Sequence, residues 1–123
     1  HKIPLIDGGE GGEEFQCAQA LDAEPHVRFW LRNVARHAAS FRLPTSTDFF
    51  YPDFIAMLND GRTLVVEYKG AYLAETPDTK EKVNIADIWA KLSKGKALFL
   101  LASITRGGAS LEQQIREKIA GNQ

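Results

Sequence analysis

Two hydrophobic periods alternate along this chain. Residues 13–21 place Phe15 and Ala18 on one inward side, predicting a helix from about Glu13 to Leu21. From Pro25 to Ala38, Val27, Trp30, Leu31 and Val34 follow the i, i+3, i+4, i+7 spacing of a helical stripe, and Pro25 suits a first turn. Residues 49–58 are apolar in both phases, which predicts a strand covered on both faces. Pro52 sets that strand's start, or an edge position, at that point. Asn59-Asp60-Gly61 is a hairpin turn signal, and residues 63–69 form the return strand, broken by Gly70.

A further helix opens at Thr76–Asp78, with Pro77 and an Asp78…Glu81 capping-box spacing, and Gly95 stops it. Ile85, Ile88, Trp89 and Leu92 form its expected buried stripe. Residues 97–102 are a continuous apolar run, hence a buried strand. Ser110…Gln113 is a second capping box, opening a helix with Leu111, Ile115 and Ile119 on one face. A hairpin followed by a strand–helix–strand crossover predicts an α/β fold: a mixed central sheet with helices on both faces.

Composition narrows the class. The chain has 123 residues, 44% of them hydrophobic and 25% charged, as expected of one globular domain and not of a disordered or fibrous chain. Residues 7–12, Asp-Gly-Gly-Glu-Gly-Gly, make 1–12 a flexible leading segment, with the domain over 13–123. Cys17 is the only cysteine, so an internal disulfide framework is excluded, and it falls in the apolar phase of the first helix. No apolar run approaches the roughly 20 residues of a membrane helix, and no leader is visible, so a cytoplasmic protein with no membrane partner is expected. The sequence starts His1-Lys2-Ile3 and its sole methionine is Met57, so a fragment of a larger chain is expected.

The net charge of −1 is unevenly spread. Residues 1–24 set Lys2 against Asp7, Glu10, Glu13, Glu14, Asp22 and Glu24, whereas residues 25–47 carry Arg28, Arg32, Arg36 and Arg42 with no acid. Lys80, Lys82, Lys91, Lys94 and Lys96 cluster later, as a solvated helix face or as phosphate contacts. His26 and His37 would lie about 16 Å apart on one helix, too far to share a metal. Trp30 and Trp89 are expected as core anchors. There is no Gly-x-x-x-x-Gly-Lys-Ser/Thr loop for ATP.

Three ionisable residues sit in sequence that otherwise belongs inside a sheet: Asp53, Glu67 and Lys69. Charges are rarely buried unless paired or metal-bound. Glu67 and Lys69 are two apart and share a strand face, with Asp53 on the partner strand. Two carboxylates and an ammonium suit a hard divalent cation beside a phosphate, and a structural ion cluster uses the same residue types.

Tyr51-Pro52-Asp53-Phe54, a turn, and Val66-Glu67-Tyr68-Lys69-Gly70 resemble the PD-(D/E)XK nuclease signature, with a helix before the hairpin and a helix–strand after it. Glu14-Phe15-Gln16-Cys17-Ala18, then Val27, Trp30 and Asn33, then Lys82 and Trp89, extend the likeness over residues 13–102 to the C-terminal endonuclease domain of the restriction (Res) subunit of type III restriction enzymes. That resemblance implies a restriction-endonuclease-like fold and an Mg²⁺-dependent endonuclease acting on double-stranded DNA, with Mn²⁺ able to substitute. It implies Asp53 and Glu67 as metal ligands, Glu14 as a third, Lys69 as the residue assisting the attacking water, and Lys80 and Lys82 near DNA phosphates. It further implies a helicase-like ATPase motor upstream in the full-length chain and a methyltransferase subunit that recognises the target. The alternatives are a related nuclease for repair or junction resolution, and a non-catalytic DNA-binding or docking module on the same fold.

Strand register decides whether the two carboxylates can meet. A two-residue Asp60-Gly61 turn would put Asp53 opposite Tyr68 and Glu67 on the other face. A three-residue Asn59-Asp60-Gly61 loop puts Asp53 opposite Glu67, so a shared metal requires that loop or a compensating bulge.

Overall fold

A computed structural model describes residues 13–33, 41–45, 49–68, 77–103 and 108–121, excepting the side chains of Glu13 and Asp78. The expected leading loop, Val34, His37, Lys69, Thr76 and the Asp78 side chain of the expected capping box lie outside the described residues, while the helix itself is described from Pro77. The described elements are α1 (Glu13–Ala23), β1 (Val27–Arg32), β2 (Leu43–Pro44), β3 (Phe49–Phe50), β4 (Phe54–Leu58), β5 (Thr63–Tyr68), α2 (Pro77–Leu92), β6 (Ala97–Ala102) and α3 (Leu111–Ala120).

The main sheet has the order β1-β4-β5-β6. β4 runs antiparallel to both β1 and β5, and β6 runs parallel to β5, so the sheet is mixed. β2 and β3 form a separate two-stranded ribbon. Period-two alternation sends neighbouring residues of the central strands to opposite cores. Phe54, Ala56, Leu58, Leu64, Val66 and Leu100 join Cys17, Ala18 and Leu21 of α1 and Leu111, Ile115 and Ile119 of α3. Val65 and Phe99 join Leu43 and Phe50 of the ribbon and Ala86 of α2, with Val83, Ile85 and Trp89 packed alongside. Helices therefore cover both faces, which is why residues 54–58 and 63–68 are apolar in both phases.

Three expectations are corrected. The helix predicted over Pro25–Ala38 is not formed in its described part: Val27–Arg32 is a strand paired to β4. A register shift between Val27 and Phe29 gives this strand two consecutive outward residues, Arg28 and Phe29, so its buried positions, Val27 and Trp30, fall three apart as on a helix. Leu31, expected inside, is 61% exposed. The single strand predicted over 49–58 is two strands, because the ladder stops at Tyr51-Pro52-Asp53. The buried stripe of α2 is rotated: Ile88 and Leu92 are exposed, and Thr79 and Ala86 are buried. Ala86 packs with Val65 and Phe99 of the sheet.

The ends of α3 follow their sequence signals. Ser110 Oγ accepts from Gln113 N at 3.1 Å, and Gly121 closes the helix at φ 87°. The Gln113 side chain donates to Glu117 rather than completing the box.

Candidate metal-binding site at the open end of the hairpin

The turn between β4 and β5 sets the register of the hairpin. Leu58 N donates to Arg62 O at 2.9 Å and Gly61 N donates to Leu58 O at 3.0 Å, with Gly61 at φ 91°. This is the three-residue Asn59-Asp60-Gly61 loop, with glycine in the left-handed position. The register is Met57↔Thr63, Ile55↔Val65 and Phe54↔Val66. Its next step sets Asp53 opposite Glu67, on the face shared by Ile55 and Val65.

The ladder then opens for a local reason. Continuing the alternation, Tyr68 N–H would donate to Pro52 O and Tyr68 O would accept from residue 52. Proline has no N–H to give. Pro52 O instead accepts from Asn33 Nδ2 at 2.8 Å, and Tyr68 N donates to Asp53 Oδ2 at 2.8 Å. The Asp53 carboxylate thus replaces a missing backbone acceptor, which holds it between the two strands. Asn33 fixes the other side: its N–H donates to Asp53 O at 2.8 Å, Nδ2 also donates to Phe41 O, and Oδ1 accepts from Phe41 N.

Glu67 is 6% exposed on the same strand face. Glu14, on the first turn of α1, meets Arg32 at the end of β1, with Arg32 Nε 3.2 Å from Glu14 Oε2. The charges of all three carboxylates are felt at one buried sulfur, that of Cys17. Burial pushes the Cys17 thiol well above its ordinary range, and the charges of Asp53, Glu14 and Glu67 push it further, in that order. Cys17 is therefore an inert core thiol at physiological pH.

Among the described residues, no three His, Cys, Asp or Glu side chains stand close enough together to hold a metal ion. Glu14 meets Arg32, and Asp53 and Glu67 are the two carboxylates that the hairpin strands bring toward one face. That pair fits Mg²⁺, which is held through one or two carboxylates and completes its shell with water and substrate phosphate.

The lysines expected to act together are divided by the fold. Lys82 Nζ lies 5.6 Å from the centre of the Phe50 ring, close in the chain to Asp53. Lys80 is exposed on the same N-terminal part of α2. Lys91, Lys94 and Lys96 follow at the opposite end, where Lys96 O accepts from Thr63 N beside the hairpin turn. Trp30 is buried, its Nε1 donating to Asp22 at 3.0 Å, and Trp89 packs on Phe41. His26 faces Glu24, its Nδ1 2.7 Å from Oε2.

Arg32 gives no sign in the sequence of a place at this end, because the helical spacing around it puts it on a helix. No protein-family model, curated protein or solved structure matches this chain. No described helix is long and apolar enough to cross a membrane.

Proposed function

We propose that this domain is a Mg²⁺-dependent DNA endonuclease of the PD-(D/E)XK type, of the kind found in the Res subunit of type III restriction enzymes. The observation that supports the proposal is the hairpin register, Phe54↔Val66 and Ile55↔Val65, whose continuation by one residue would set Asp53 opposite Glu67, together with the Tyr68 N–H donating to Asp53 Oδ2. The sequence of one helix, an antiparallel hairpin, and a helix–strand return to a mixed sheet is in keeping with that fold.

In this reading Asp53 and Glu67 hold the metal. Bound there, Mg²⁺ would polarise a phosphoryl oxygen and offset the charge developing on it. Asn33 and the Tyr68 N–H hold Asp53 in place, and Glu67 is buried. Lys69 orients the attacking water. The water oxygen bonds to phosphorus as the bridging P–O bond opposite it breaks; the water releases one proton to bulk solvent, and the leaving oxygen takes one up from it. Lys80 and Lys82 contact neighbouring phosphates. The upstream motor and the methyltransferase partner belong to the same proposal.

The test is nicking of supercoiled plasmid with Mg²⁺. Wild type should convert it to open circles, and Asp53→Ala should leave it intact. Equal nicking by the two proteins would refute the assignment.

A further inference from the structure

The β2–β3 ribbon runs directly into Tyr51-Pro52-Asp53, and its two faces differ. Leu43 and Phe50 pair with each other and turn into the core. Pro44 and Phe49 pair on the outer face, where Phe49 is 42% exposed. Arg42 is also exposed, and its guanidinium carbon lies 4.7 Å from the centre of the Phe49 ring. An apolar ring and a charged side chain with several rotatable bonds are thus held against each other on the surface. Stacking restrains the guanidinium while leaving its N–H edge available, the arrangement suited to phosphate oxygens.

Position adds an independent reason. Phe49 is four residues from Asp53, a span of at most about 14 Å. A phosphate at Asp53 therefore has neighbours along its strand within reach of Arg42. Among the described ribbon residues, 41–45 and 49–50, the one charged side chain is Arg42, set against an aromatic ring on the outer face. A polyanion with stackable bases complements it.

We infer that Arg42, stacked on Phe49, forms a DNA-backbone contact that seats the strand flanking the cleaved phosphate. The choice of DNA rests on the proposed nuclease activity. The ribbon supplies affinity, and the hairpin carboxylates supply chemistry.

The experiment measures binding of a fluorescein-labelled 20-base-pair duplex by anisotropy, without divalent metal, between 50 and 200 mM salt. Arg42→Ala should weaken binding about tenfold at the low-salt end and make the log–log salt slope shallower by about 0.9. Phe49→Ala, which keeps the charge, should weaken binding several-fold with the slope unchanged. Lys96→Ala removes one exposed cation at the far end of the sheet and serves as the control; its effect should be smaller than that of Arg42→Ala. Thermal melts confirm that each variant is folded. Equal losses in Arg42→Ala and Lys96→Ala would overturn the inference, as would full affinity in Arg42→Ala. If wild type binds DNA and loses affinity in Arg42→Ala but never nicks plasmid, the contact stands and the nuclease proposal falls. If wild type does not bind the duplex, the inference is overturned.

Discussion

Single side chains decide whether the hairpin can hold a metal. Pro52 withholds one N–H, Asp53 takes the place of one acceptor, and Asn33 ties both to β1 and to Phe41. Asn33→Ala removes three side-chain hydrogen bonds at a half-buried position and should cost about 2 kcal/mol, seen as a lower urea midpoint. A midpoint equal to wild type would mean these contacts contribute nothing to the fold. If the proposed reading holds, Lys69→Ala should abolish cleavage while leaving duplex affinity nearly intact, since the role proposed for it is toward the attacking water; cleavage at the wild-type rate would exclude that role. A third prediction concerns acid. Burial raises the Glu24 carboxyl, but hydrogen bonds from His26, the charge of His26 and that of Arg116 outweigh it, leaving the group below its ordinary 4.5. A carboxyl depressed in the folded state stabilises fully above the unfolded value, and the contribution is lost as pH falls through the folded value. Glu24→Gln should therefore flatten the loss of stability below pH 4.5. An unchanged acid limb in urea titrations would contradict this.

At the scale of elements, the hairpin is legible in the sequence and the strand beside it is not. Asn59-Asp60-Gly61 carries its own turn chemistry, so both the loop length and the register Phe54↔Val66, whose continuation sets Asp53 opposite Glu67, follow from local residues. Residues 97–102 and the Ser110 cap are equally local. β1 reads as a helix because a bulge spaces Val27 and Trp30 as a helix would, and pairing with β4 outweighs the local pattern. The α2 stripe is displaced from its expected positions because side-chain size does not decide burial there: small Ala86 packs inward, while Leu92 is 76% exposed. The candidate pair Asp53 and Glu67 can be named from sequence, but the Asn33 clamp cannot, because its partners Phe41 and Pro52 are 8 and 19 residues away. Gly61 offers an element-level test. Its φ of 91° is costly for any side chain, so Gly61→Ala should destabilise the domain by about 1–2 kcal/mol. A neutral result in thermal melts would show that the loop can change type without strain.

Across the molecule, charge is organised by the two ends of the sheet. Glu14, Arg32, Asn33, Asp53 and Glu67 lie at one end, together with the ribbon and the N-terminal part of α2. Lys91, Lys94 and Lys96 lie at the other. A chain of net charge −1 with its cations so divided should bind DNA weakly and with steep salt dependence. Tight, sequence-selective binding by this domain alone would point to a self-sufficient enzyme rather than one guided by a recognition subunit. The most direct test of the central claim is calorimetric titration with Mn²⁺, comparing wild type with Asp53→Asn and Glu67→Gln. If the two carboxylates share one ion, each variant should lose at least about tenfold in affinity, and the double variant should lose little more than either single one, as ligands of a common site act together. Wild-type affinity in either single variant would contradict the account.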